Sequence, residues 1–117
     1  MAEKADVEIR DDRERGELVA YEGGEPVGSI AYFVMAPAQG ALVAVHTVVP
    51  PEHEGRGIAG ALVREFYALA GRDGIPVVPL CPYAATWAKR HPDEAPEASA
   101  ELVQEAKRRL GDHPELL

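Results

Sequence analysis

The chain has 117 residues, 46% of them hydrophobic, which suffices for one domain with a modest core and leaves no room for a second. Twelve Lys and Arg against twenty Asp and Glu give a formal net charge of −8, which argues against a partner presenting a nucleic-acid phosphate backbone and favours cationic partners such as amines. Cys81 is the single cysteine, the start Met1-Ala2-Glu3-Lys4-Ala5-Asp6 is charged rather than apolar, and no stretch approaches a membrane span, so the expectation is a cytosolic protein without disulfide, signal peptide or membrane contact.

The first half reads as strands. Glu17-Leu18-Val19-Ala20-Tyr21 and residues 27–34 flank Glu22-Gly23-Gly24-Glu25, whose paired glycines suit a hairpin turn. A second turn-like stretch, Pro37-Ala38-Gln39-Gly40, precedes the apolar, β-branched run 41–49, which predicts a central strand buried on both faces and stopped by Pro50 and Pro51.

From Gly57 the period becomes helical. Ile58, Leu62, Phe66 and Leu69 fall on one stripe with Ala59, Val63 and Ala70 beside it, and Gly71-Arg72-Asp73-Gly74 supplies an end. Residues 77–81 form another apolar run, so residues 41–81 predict a strand-helix-strand unit with parallel strands and a right-handed crossover, although Pro79 removes a ladder donor. A short helix is expected over 83–90, opened by Pro82, and a last one over 98–110, where Leu102, Val103, Ala106 and Leu110 share a face and the charges match the helix dipole.

The segment joining the central strand to the long helix carries the chemistry. A glycine-rich turn entering a helix presents several backbone N–H groups at the positive end of the helix dipole, which suits a phosphate; Gly55 and Gly57 permit close backbone approach, and Arg56 adds a charge-assisted contact. A strand-to-helix connection that uses its glycines for geometry alone is the other reading. The P-loop pattern lacks its Lys-Ser/Thr here, and the dinucleotide fingerprint lacks its third glycine.

Residues 49–62, Val-Pro-Pro-Glu-His-Glu-Gly-Arg-Gly-Ile-Ala-Gly-Ala-Leu, resemble the acyl-CoA-binding motif of the GNAT acetyltransferases, in which an Arg or Gln is followed at fixed spacing by Gly and then Gly or Ala. Gly57 and Ala59 fill the last two positions, and Glu54 stands where the Arg or Gln is usual. Together with His46-Thr47, the run Val78-Pro79-Leu80-Cys81-Pro82-Tyr83, and Arg90-His91-Pro92, the likeness narrows to the short stand-alone branch and covers roughly residues 15–92. The final helix lies outside it.

The resemblance implies an α+β, GNAT-like fold: a mixed, mostly antiparallel sheet with a parallel strand-helix-strand unit and flanking helices. It implies acetyl-CoA as acyl donor, its pyrophosphate on Glu54, Gly55, Arg56, Gly57, Ile58 and Ala59, and its pantetheine arm between splayed strands ending at Val49 and Cys81. Backbone N–H groups around Val48 and Val49 would then meet the pantetheine amides or a developing oxyanion. The acceptor would be an amine on a small molecule or a protein.

Three side chains are candidate catalytic groups. An ammonium acceptor has to lose a proton before it can attack a thioester, and His46 is the best-placed base; its other reading is a histidine satisfied within the sheet. Cys81, before Pro82 at a helix start, reads either as an acyl-accepting nucleophile or as a small buried apolar residue. Tyr83 reads as the acid for the departing thiolate, by resemblance, or as packing. Trp87 and Arg90 read as helix residues lining a groove or packing the sheet, and His53 as solvated; His46, His53, Cys81, His91 and His113 lack metal-ligand spacing.

The sequence therefore predicts an acetyl-CoA-dependent N-acetyltransferase acting by direct attack of the amine, with transfer through Cys81 as a variant mechanism. The alternative is a CoA-binding regulatory or interaction module with little or no catalysis.

Overall fold

The computed structural model describes residues 7–35 and 40–112. Five strands form one sheet in the order β1 (Glu8–Asp12), β2 (Glu17–Glu22), β3 (Glu25–Val34), β4 (Leu42–Val48) and β5 (Val77–Pro79). All neighbours are antiparallel except β4 and β5, which are parallel and joined through α1 (Ile58–Asp73). Helices α2 (Pro82–Arg90) and α3 (Ala100–Asp112) follow.

The β2–β3 hairpin turns on Gly23 and Gly24, both at positive φ, the conformation that a tight two-residue connection demands. The turn expected over Pro37–Gly40 falls mostly on residues 36–39, which lie outside the described residues. Strand β1 was not anticipated. Its sequence, Glu-Ile-Arg-Asp-Asp, has no apolar alternation; pairing with β2, from Glu8 opposite Tyr21 to Asp12 opposite Glu17, orders it.

The core divides between the two faces of the sheet. On one, Leu18, Ile30, Leu42 and Ala44 meet Ile58, Leu62 and Phe66 of α1 and Ala84 and Trp87 of α2. Each large apolar side chain removed from water there contributes about 1.5–3 kcal/mol relative to exposure. Gly28 makes this packing possible: a Cβ on it would stand 2.9 Å from Ile58 Cγ2 and 3.2 Å from Leu62 Cδ1. On the other face Met35, Val43 and Val78 pack against Ala106 of α3, with Leu102 and Val103 partly buried beside them.

Helix α3 covers only the first part of β4. Burial on both faces, expected for the whole of residues 41–49, is complete from Ala41 to Val45 and ends at His46 and Val48, which are exposed. β5 also stops earlier than the apolar run through Cys81 suggested: the amides of Leu80 and Cys81 converge on the single carbonyl of Ala44 instead of advancing along β4.

Candidate functional site

The β4–β5 ladder ends at the pair Ala44 and Pro79. The next two amides, of Leu80 and Cys81, both donate to the carbonyl of Ala44 at 3.0 Å, and the chain then leaves the sheet as Pro82 opens α2. In the same place β4 carries an extra residue: Tyr32 faces Ala44 and Ala31 faces His46, so Val45 is a bulge that bends the strand. β4 stays with β3 as far as the pair Ser29 and Val48, so it diverges from the start of α2 at the place where the resemblance puts the pantetheine cleft.

Backbone groups alternate between the two sides of a strand. The amide of Tyr32 donates to Gly16 on the β2 side, so Ala31 and Ser29 turn theirs towards β4, and their partners His46 and Val48 face β3. That alternation leaves Thr47, and Val49 beyond it, with backbone groups directed to the cleft, whereas the Val48 amide belongs to the β3 ladder. Side chains alternate likewise: Thr47 lies on the α1 face, its Oγ1 3.3 Å from Cys81 Sγ, while exposed His46 and Val48, the latter 55% accessible, project from the opposite face.

Between β4 and α1 a short 3₁₀ turn, Pro51–His53, is followed by Glu54 in an extended conformation and by Gly55 and Gly57 at φ +81° and +82°. A Cβ on either glycine would meet no protein atom within 4 Å, so the glycines serve backbone conformation and not internal space. Gly57 caps α1, whose first turn holds no acidic residue, and the first helical bond runs from the Ala61 amide to the Gly57 carbonyl at 3.0 Å. The amides of residues 55–60 have no acceptor among the described residues. Buried Ile58 anchors this array in the core and Ala59 is half-buried. Successive free N–H groups at a helix N-terminus form a concave anion site.

The side chains of the loop are arranged differently from expectation. Arg56 is bonded through both terminal nitrogens to the carboxylate of Glu22 on the β2–β3 hairpin, the Nη1 to Oε1 distance being 3.1 Å, and Nη1 lies 3.3 Å from His53 Nδ1. His53, expected to be solvated, is thus partly enclosed. The hydrogen bond from Arg56, and then its charge, hold the Glu22 carboxyl below the usual carboxylate range, and the guanidinium is raised in turn. Glu54 is exposed and its amide donates to Pro51 at 3.2 Å.

Tyr83 is 44% exposed and lies over the first turn of α1, its hydroxyl 3.6 Å from the position a Cβ on Gly60 would take; Trp87 Nε1 is 3.7 Å from the same point. Trp87 itself is buried between Tyr67 and His91, with ring centroids 6.0 and 4.0 Å away, which makes it part of the packing between α1 and α2. Cys81 is 5% exposed and is the N-cap residue of α2. The structure therefore brings Cys81, Thr47 and the α1 head to one side of the sheet and leaves His46 on the other. Thr47 and Glu22 carried no assigned role in the sequence; Thr47 adjoins His46 in the strand, and nothing local marks Glu22.

A phosphate-ready helix head beside a splayed parallel pair in a mixed sheet defines the class of acyl-CoA N-acyltransferase folds. The family model for GCN5-related N-acetyl-transferase matches residues 15–97, and the chain belongs to that family. No curated protein matches the chain. Among solved structures it is similar to a ribosomal-protein-alanine N-acetyltransferase from Brucella melitensis biovar Abortus 2308, with TM-score 0.54 and 24% identity over 71% of this chain and 62% of that one. An acetyltransferase from Trypanosoma brucei gives TM-score 0.54 and 17% identity over 74% and 68% of the two chains. A predicted acetyltransferase from Clostridium acetobutylicum, solved with acetyl-CoA, gives 0.50 and 16% over 73% and 59%. The chain thus spans less than two thirds of the Brucella and Clostridium proteins, and these likenesses establish the fold. Among the described residues no helix is long and apolar enough to cross a membrane.

Proposed function

We propose that the protein is an acetyl-CoA-dependent N-acetyltransferase that passes the acetyl group directly to an amine. The observation that supports this best is the placement of the unpartnered amides of residues 55–60 beside the cleft where β4 leaves β5. Those amides suit the pyrophosphate of acetyl-CoA, and a bound thioester supplies an activated acetyl carbonyl. The cleft-facing backbone of Thr47 and Val49 serves the pantetheine amides or the developing oxyanion. Arg56 reaches a phosphate oxygen by exchanging it for Glu22.

An alkyl ammonium with a pKa of about 10.4 is unreactive until deprotonated. His46, exposed on the face that α3 leaves open, accepts that proton from an amine approaching from that side. Tyr83, over the head of α1, donates a proton to the departing thiolate. The net charge of −8 favours cationic acceptors, polyamines and protein lysines among them.

The test combines calorimetric titration with CoA and thiol release from acetyl-CoA across a panel of polyamines and lysine peptides. Saturable CoA binding with amine-dependent release is expected. CoA binding with release at background would favour the second reading, a CoA-binding regulatory module, for which the neutralisation of Arg56 by Glu22 speaks. No CoA binding would remove both.

A further inference from the structure

Residues 91–99 carry the chain from α2, on one face of the sheet, to α3 on the other, and so pass around the outer edge of β5. Between this segment and the strand lies a pocket of about 430 Å³, within the size range of small-ligand sites, about 300–1,000 Å³. Its walls are apolar, from Val78 and Leu80 of the strand region, Ala85 and Ala88 of α2, and Ala98 and Val103 at α3. Lys89 and Glu97, both exposed, stand at its rim with opposite charges that offset one another.

One polar group in this lining is out of keeping with the rest. Tyr67 is 6% exposed, its ring held by stacking on Trp87, and its hydroxyl has no hydrogen-bond partner among the described residues. Burial pushes that hydroxyl up to about 12, so it is a neutral donor throughout the physiological range. Among the described residues no buried side-chain oxygen lacks a partner, so this hydroxyl reaches the solvent of the pocket, where a ligand acceptor can take the place of water. An ion would find no charge of its own to pair with inside such walls.

Strand addition is disfavoured here. The Leu42 amide bonds Pro76 and the Leu80 amide bonds Ala44, so Val77 and Pro79 face outwards, and proline offers no N–H to a peptide.

We infer that this pocket at the outer edge of β5 is a binding site for a small uncharged, largely apolar compound carrying one hydrogen-bond acceptor, which the hydroxyl of Tyr67 engages. The probes are acetophenone and ethylbenzene, of similar shape with and without an acceptor, followed by amide chemical shifts of the full ¹⁵N-labelled chain. Acetophenone should produce saturable shifts at Val78, Ala88 and Val103, and Tyr67→Phe should weaken it about tenfold while leaving ethylbenzene unchanged. Ala85→Leu, which fills the pocket from α2 and leaves Tyr67 in place, should abolish binding of both probes. Absence of saturable shifts with either compound, equal acetophenone affinity in Tyr67→Phe, or full binding in Ala85→Leu would overturn the assignment.

Discussion

The hydroxyl oxygen of Thr47 lies 3.3 Å from the sulfur of Cys81, a side-chain bridge between β4 and the head of α2 just beyond the point where the β4–β5 ladder ends. It ties the two walls of the cleft together on the α1 face. It also bears on chemistry: Cys81 stands at the N-terminus of α2, which favours a thiolate, but its sulfur is buried and its side-chain partner is a neutral hydroxyl and not a base.

Cys81 should therefore not take up the acyl group. Intact-mass analysis after mixing with acetyl-CoA alone should show an unmodified chain, and Cys81→Ala should retain most amine-dependent turnover while losing about 1–2 kcal/mol of stability from the vacated buried volume. An acetyl adduct present in the native chain and missing from the variant would establish the covalent route instead.

Gly57 sits at φ +82° with open space where a Cβ would be, so a side chain there strains the backbone without striking the protein. Gly57→Val should cost about 1–3 kcal/mol, enough to redirect the amides of the α1 head. CoA affinity measured by calorimetry should fall at least tenfold while circular dichroism stays native. Gly57→Ala should show a smaller loss of the same kind, and undiminished affinity in both variants would argue that these amides do not hold phosphate.

Glu22 and phosphate compete for Arg56. Glu22→Gln should tighten CoA binding several-fold, Arg56→Gln should weaken it, and the double variant should match Arg56→Gln, because Glu22 acts only through the guanidinium. The carboxyl's folded value is depressed, so the stability the pair contributes is present above the unfolded value of about 4.3 and is lost as pH falls through the folded one. Both partners are over a third exposed, so this contribution is small and should shrink in high salt. Equal CoA affinity in wild type and Glu22→Gln would count against the competition.

Tyr32 donates to the carboxylate of Asp11, which Arg13 also contacts at 3.4 Å while reaching Asp73 of α1 at 3.2 Å. Burial, and then the Asp11 bond, push the Tyr32 hydroxyl up to about 12. The folded value exceeds the unfolded one of about 10, so its contribution is complete below about pH 10 and disappears as pH rises through 12. Chemical denaturation midpoints should decline across that window. Tyr32→Phe should make the decline shallower and remove one tyrosine from the phenolate absorbance rise near pH 12, a phase that Tyr67 shares.

Much of the fold was legible because period and punctuation coincide. Ile58, Leu62 and Phe66 recur at helical spacing and are buried as a stripe, Gly74 in the left-handed conformation ends that helix, and Gly23-Gly24 joins two strands of clear β composition. Residues 8–12 gave no such signal: they are a strand because β2 offers an edge, and their link to the core runs through Ile9 and the bond between Asp11 and Tyr32. The site divides in the same way. Two glycines ahead of an amphipathic helix announce a phosphate-ready turn, but neither the pairing of Arg56 with Glu22, 34 positions away, nor the contact of Thr47 with Cys81 has any local trace.

The sequence by itself determined the strand-helix-strand unit and the glycine turn at the head of α1, since period and punctuation along the chain announce both. Only the tertiary structure decided that a bulge at Val45 directs Thr47 and not Val48 to the cleft, that His46 faces the open side of the sheet away from Cys81, and that Arg56 is held by a carboxylate. The reason is physical: strand register, which face a side chain takes after a bulge, and which charge finds which partner are fixed by contacts between segments remote in sequence, and a shift of one residue reverses every one of them.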